Sequence, residues 1–231
     1  DFINLDNNPA DDNGHGTHVA GIIAANGTII GVAPEANIIA VKVLDSGGGG
    51  SISDVINGIQ LCIDNSTIYN ISIITMSLSC GTFNSACDSS TTCNANLMKD
   101  VVNSAVGKNI SVIAASGNNG DGLMSTGNST HIGLPACLSN VTSVGAVNDD
   151  YTLASYGNRN NLTWLMAPGT RIKSLAYGGT CLSSCSCSNG LMECDGTSMA
   201  APHAAGAYAL LLQYLKEENN SVMTNSQLKE V

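Results

Sequence analysis

Charged side chains are scarce in this sequence. Asp, Glu, Lys and Arg together make 11% of the 231 residues, against about a quarter in ordinary soluble domains. Basic residues are the scarcer half, eight against eighteen acidic ones, for a net charge of -10. No basic cluster offsets that balance, so a phosphate backbone would be repelled and nucleic-acid binding is not expected. Long apolar runs are missing too. No stretch reaches the roughly 18 uninterrupted apolar residues of a membrane span, and the longest candidate, residues 204–215, is broken by polar positions. A charged-then-apolar leader is also missing: the sequence opens on Asp1 and reads as a fragment or processed form.

What is present is an apolar fraction of 43% in a chain long enough for one domain with a substantial core. Asn, Ser, Thr and Gly supply the polar surface that charges do not. Nine cysteines are many for a cytosolic enzyme of this size. Asn-X-Ser/Thr triplets stand at Asn26, Asn65, Asn70, Asn109, Asn128, Asn140, Asn161 and Asn219. A chain this rich in Asn and Ser makes such triplets by chance, yet together with the cysteines they favour a secreted or other oxidising location.

Short β-branched runs at 38–44, 71–78, 110–115, 141–147 and 162–167 have strand length, and their near-continuous apolarity predicts strands covered on both faces. Segments 53–65 and 95–108 carry apolar residues at helical spacing, and 197–218 reads as a long buried helix. Alternating strand and helix predicts an α/β fold with right-handed crossovers and a mostly parallel sheet. Two cysteine-rich stretches, 79–96 and 178–194, look like irregular insertions.

Three motifs carry chemistry. Asn13-Gly-His-Gly-Thr-His-Val-Ala-Gly21 places His15 at a loop-to-helix junction. Ala114-Ala-Ser-Gly-Asn-Asn-Gly120 ends a predicted strand, and Asp195-Gly-Thr-Ser-Met-Ala-Ala-Pro-His-Ala-Ala-Gly206 puts Ser198 at a helix start. A serine hydroxyl is a weak nucleophile that needs an adjacent base, and histidine has a suitable pKa. A helix N-terminus offers unpaired N–H groups to a developing oxyanion, and an amide such as that of Asn118 adds a donor. Taken singly, each motif has a blander reading: Ser198 as an N-cap, His15 and His18 as half of a metal site, Gly-Asn-Asn-Gly as a turn.

Jointly the three segments resemble the His, Asn and Ser signatures of the subtilisin-like serine proteases, in that family's chain order. The likeness extends through Gly31-Val-Ala-Pro34, Ala40-Val-Lys-Val-Leu44, Ile56-Asn-Gly-Ile59, Met76-Ser-Leu78, Ser143-Val-Gly-Ala146 and Met166-Ala-Pro-Gly169. It implies a three-layer αβα fold over 1–231, a single catalytic domain truncated at both ends. It implies a serine endopeptidase with Ser198 as nucleophile, His15 as base, Asn118 in the oxyanion hole, and His18 and His203 structural. Substrate would lie between Gly48, Gly49, Gly50 and the opposite rail Ser77, Leu78, Ser79. Ala115, Gly117 and Gly133 would line a pocket for an apolar P1 side chain. Ser79 stands where the family usually has Gly.

The family's triad Asp comes from a strand ahead of the His motif. Asp45-Ser46-Gly47 imitates its context but follows His15 and matches the substrate-edge loop, so the Asp is expected upstream of residue 1, as is a propeptide. The loop 24–31 is shorter than the calcium-binding loop of secreted members, so that site is expected to be missing. A calcium site elsewhere stays open, and no metal ligand is assigned. Cys181, Cys185, Cys187 and Cys194 are expected in disulfides rather than a metal cluster, with Cys62 the unpaired thiol. The expected partners are polypeptide substrates, with no nucleic acid and no membrane span, acting as a monomer. The rival readings are a non-catalytic peptide-binding relative, a fragment inactive without its Asp, and a disulfide-stabilised surface protein.

Overall fold

The computed structural model describes residues 1–120, 130–178 and 181–219. The triplet at Asn128, the side chain of Asn219 and residues 220–231 lie outside the described residues. Along the chain run α1 (His15–Ala24), α2 (Ile52–Asp64), the single-turn α3 (Ser66–Tyr69), β1 (Ile73–Met76), β2 (Cys80–Phe83) and α4 (Ala95–Gly107). Then come β3 (Ser111–Ala115), β4 (Ile132–Leu134), β5 (Thr142–Val147), β6 (Leu165–Pro168), β7 (Ile172–Leu175), β8 (Ser186–Ser188), β9 (Leu191–Cys194) and α5 (Thr197–Asn219).

The main sheet has the order β1-β3-β5-β6 and every pairing in it is parallel. Alternation along β3 divides its side chains between two cores. Val112 and Ala114 pack with α2 and α4, while Ile113 and Ala115 pack with α5 and β5. Helices thus cover both faces, the three-layer αβα arrangement. The helix α2 starts on a reciprocal cap: Asp54 N–H donates to Ser51 Oγ at 3.1 Å and Ser51 Oγ–H donates to Asp54 Oδ2 at 2.7 Å. Its buried Val55, Gly58, Ile59 and Ile63 recur at helical spacing and seat it on the sheet.

Three expectations need correction. Residues 38–44 form no strand; Ile38 and Ile39 are exposed, and a single backbone bond, Phe2 N–H to Lys42 O, reaches the run. Val41 and Val43 pack against Gly58 of α2, so side chains hold the segment without a ladder. Second, of the predicted strands only β3 and β5 are buried on both faces; β6 is an edge strand with Leu165 and Met166 exposed, and β1 alternates. Third, the cysteine-rich stretches are partly regular. The strand β2 pairs antiparallel with β4, and β8 and β9 join β7 in a three-stranded sheet.

Eight of the nine cysteines are bridged: Cys80–Cys93, Cys87–Cys137, Cys181–Cys187 and Cys185–Cys194, leaving Cys62 free on α2. Among the described residues, no helix is long and apolar enough to cross a membrane.

Candidate active site

The parallel sheet aims the C-terminal ends of β1 and β3 at one region, where Ser77 and Asn118 follow them. His15 is the first residue of α1. The N-cap of that helix is Gly14 at φ +102, a left-handed position that favours glycine, and no side chain caps it directly. Asp11 takes over that work from outside the helix. Its Oδ1 accepts from Asn13 N–H and Gly14 N–H at 3.0 and 2.8 Å, and its Oδ2 accepts from the N–H and hydroxyl of Thr17. Burial pushes the Asp11 carboxyl up, but these donors outweigh it and bring the pKa down to about 2.

Burial holds His15 below the usual imidazole range; His18 pushes the same way and Asp11 pulls it back up. No described residue hydrogen-bonds its ring in this structure. His18 is fully buried, with Nε2 2.8 Å from Met192 O and 3.1 Å from Ile172 O. Carbonyls only accept, so Nε2 carries the proton and Nδ1 is left bare and unpartnered. His203 donates from Nδ1 to Met199 O at 2.8 Å. Burial lowers the pKa of both histidines.

Ser198 is the second residue of α5, preceded by Gly196 at φ +155. Pro202 lies four residues on and lacks the N–H that would bond Ser198 O. That carbonyl accepts instead from Ser77 Oγ at 2.7 Å, while Ser198 Oγ donates to Ser77 O at 3.4 Å. Ser77 and Ser198 are therefore joined twice. The structure does not join Ser198 Oγ to His15.

The amide of Asn118 is oriented by chemistry. The Thr197 N–H can only donate, and it reaches Asn118 at 2.9 Å, so that atom is Oδ1. The Thr197 hydroxyl donates to the same Oδ1 at 2.9 Å and accepts from Gly117 N–H at 3.2 Å. Nδ2 is left as the donor. A Cβ placed on Gly196 would stand 3.3 Å from Asn118 Nδ2 and 3.6 Å from Ser198 N, so two donors converge beside a glycine that leaves the space open. Asn158, fully buried, backs this turn: it donates to Ser116 O at 3.0 Å, and its Oδ1 accepts from Asn119 N–H.

Gly48, Gly49 and Gly50 lie in an exposed turn held by Asp45, whose Oδ1 accepts from Gly47 N–H and Gly49 N–H. Asn13 Nδ2 donates to Ser46 O at 2.9 Å and ties this turn to the His15 loop. On the other side Leu78 and Ser79 continue from Ser77. A Cβ on Gly133 would stand 2.8 Å from Ser79 Cβ, so the Ser79 side chain packs directly against that glycine. Gly117, at φ +109, lies against Asn158, and Ala115 is buried under α5.

Asp11, Thr197, Asn158 and Asn13 position the site, and the motif reading gave them no such work. Asp11 adjoins the first motif and Thr197 lies inside the third, and they could be found as loop and helix-start caps; Asn158 has no local signal. The short loop 24–31 is closed by backbone hydrogen bonds. Gly31 N–H takes Ala25 O and Gly27 N–H takes Ile29 O, and among the described residues no group of three His, Cys, Asp or Glu could hold a metal.

A model of the subtilase family matches residues 1–231. Subtilisin E of Bacillus subtilis is 40% identical over 99% of this chain and 52% of its own length. An intracellular serine protease of Paenibacillus polymyxa is 37% identical over 94% of this chain and 59% of its own. The crystal structure of a cold adapted subtilisin-like serine proteinase superposes with a TM-score of 0.77 at 32% identity, covering 100% of this chain and 70% of that one. The chain thus spans about half the length of the curated relatives it matches.

Proposed function

The chain belongs to the subtilase family, and from that premise we propose that it is the core of a serine endopeptidase acting on extended polypeptides. Ser198 is the nucleophile and His15 the base that takes its proton, an assignment supported by their places at the starts of α5 and α1. Lowered by burial, His15 is neutral and able to accept at neutral pH. As the carbonyl carbon of the substrate is attacked, its oxygen gains charge, which Asn118 Nδ2 and the Ser198 N–H would receive. The observation that carries this reading is the Asn118 amide, fixed by Thr197 so that its free donor faces the gap at Gly196. A substrate strand would pair with Gly48, Gly49 and Gly50 on one side and with Ser77, Leu78 and Ser79 on the other. Its apolar P1 side chain would enter between Ala115, Gly117 and Gly133.

A triad also needs a carboxylate on His15 to hold its tautomer and stabilise the imidazolium. Asp11 spends both oxygens on its own loop, so we assign that carboxylate to sequence outside these 231 residues. Four disulfides favour a secreted or other oxidising location, with the protein acting as a monomer.

A fluorophosphonate probe is expected to label the full protein at Ser198 and to lose all labelling in Ser198→Ala. Labelling that persists in the variant overturns the assignment. One observation favours a second reading, that the 231 residues alone are inactive: Ser198 Oγ rests on Ser77 O rather than on His15. That reading expects the isolated chain to react with the probe at least tenfold more slowly than the full protein.

A further inference from the structure

We infer that the rim of the parallel sheet farthest from the candidate active site is an N-glycosylation face, with acceptors Asn70, Asn109, Asn140 and Asn161. Each stands two to four residues ahead of a different strand, in the order β1, β3, β5, β6 in which the strands lie side by side. Through the parallel registers, neighbouring acceptors are staggered by no more than two residues. At about 4.8 Å between strands, the four form a row about 15 Å across. All four are exposed. Asn70 and Asn109 hold left-handed turns at φ 53 and 60, which lift them off the sheet, and no described residue hydrogen-bonds their side chains. Asn65 is excluded because it precedes no strand, is only half-exposed, and its amide is tied back to Leu61 O of its own helix, whereas the Asn140 amide donates only to the exposed side chain of Asn103.

A second observation points the same way. Thr163 completes the triplet of Asn161, and its Oγ1 is buried with no partner among the described residues. A buried hydroxyl left unpaired costs the fold stability that valine, of nearly the same shape, would not. The hydroxyl is explained by the acceptor triplet and not by the packing. Exposed Ile68 and Tyr69 precede Asn70, and exposed Trp164 follows Asn161. Sugar chains there would cover apolar surface on a molecule with few charges to keep it in solution.

Placement makes the modification compatible with an open cleft. Ser77 and Asn118 follow the C-terminal ends of β1 and β3, whereas the acceptors precede the N-terminal ends. In the transfer, the Asn amide nitrogen attacks C1 of a lipid-linked oligosaccharide pyrophosphate. A C1–N bond forms, the C1–O bond breaks, the pyrophosphate leaves with the electron pair, and the amide gives up one proton. No oxidant or reductant is needed.

The test secretes the full protein carrying these residues from a eukaryotic host and removes glycans with an N-glycosidase in 18O water. Each occupied Asn then becomes a labelled Asp that peptide mass spectrometry locates. Labels on at least three of the four uphold the inference; labels on two or fewer overturn it. Thr163→Val should abolish the label at Asn161 while the melting temperature holds or rises, and a label that survives the change counts against the proposal. If the secreted variant fails to fold, translation in the presence of microsomes gives the same mass readout on the nascent chain. Neither readout depends on proteolysis, so the glycan assignment and the peptidase assignment fail separately.

Discussion

Thr197 touches no substrate in the proposed reaction, yet three of the bonds that shape the site pass through it. Replacing it by Val keeps the N–H that reaches Asn118 Oδ1 but removes the hydroxyl that Asn118 and Gly117 share. Thr197→Val is expected to lower kcat with little change in KM, because a loosened oxyanion donor matters once charge has developed. Asn118→Ala should lower kcat by about a hundredfold, a weight borrowed from subtilisin's own oxyanion-hole donor. Steady-state kinetics on a peptide ester would contradict both if KM rose at constant kcat. Titration belongs to this scale as well. His15, His18 and His203 have folded pKa values below the ordinary 6.5, so the unfolded chain binds more protons just below that value. Their contribution to stability is intact above about 6.5 and is lost as the pH falls through the lowered folded values. Asp11 adds a second, more acidic loss between 3.8 and about 2. Melting temperatures measured against pH should show both steps, and Asp11→Asn should remove the lower one alone.

Among the elements, those legible in the sequence were the ones whose own side chains bury them. The strands β3 and β5 were readable because continuous β-branched runs need cover on two faces, and α2 and α4 because their apolar residues repeat at helical spacing. The run 38–44 has the same composition but no ladder, since a strand exists by pairing and pairing is not written in one segment. The short strands β2, β4, β8 and β9 were hidden for a related reason: disulfides and long-range partners define them, not periodicity. At the candidate site, the places of His15 and Ser198 at helix starts and of Asn118 after a strand were legible from motif, whereas Asn158 lies 39 residues from the Asn119 N–H it accepts and leaves no local trace. The bridges differ in expected worth. Cys87–Cys137 spans 50 residues and should contribute about 4 kcal/mol, whereas Cys181–Cys187 spans six and should contribute about 2. Replacing each pair by Ala and comparing denaturant midpoints tests the order; equal losses would show that native-state packing outweighs loop length.

Over the whole molecule, the small number of charges leaves few ion pairs to lose. Lys42–Asp12, Lys99–Asp100, Arg171–Asp149 and Lys173–Glu193 are the pairs among the described residues, and each has an exposed or half-exposed partner. Stability is therefore expected to change little between low and moderate salt, rising slightly as the net charge of -10 is screened. A fall of several degrees in melting temperature on adding salt would contradict this. The strand β3 carries a further consequence, because successive residues along it belong to opposite cores and both of its edges are paired. Its amides can meet solvent only when both cores part, so in deuterated buffer they should exchange at the rate set by global unfolding. The amides of β6, an edge strand with two exposed apolar residues, should exchange sooner. Val112→Ala loosens one core and Ile113→Val the other, and each should speed exchange along β3 by one common factor. Factors that alternate along the strand would mean that the two cores open independently.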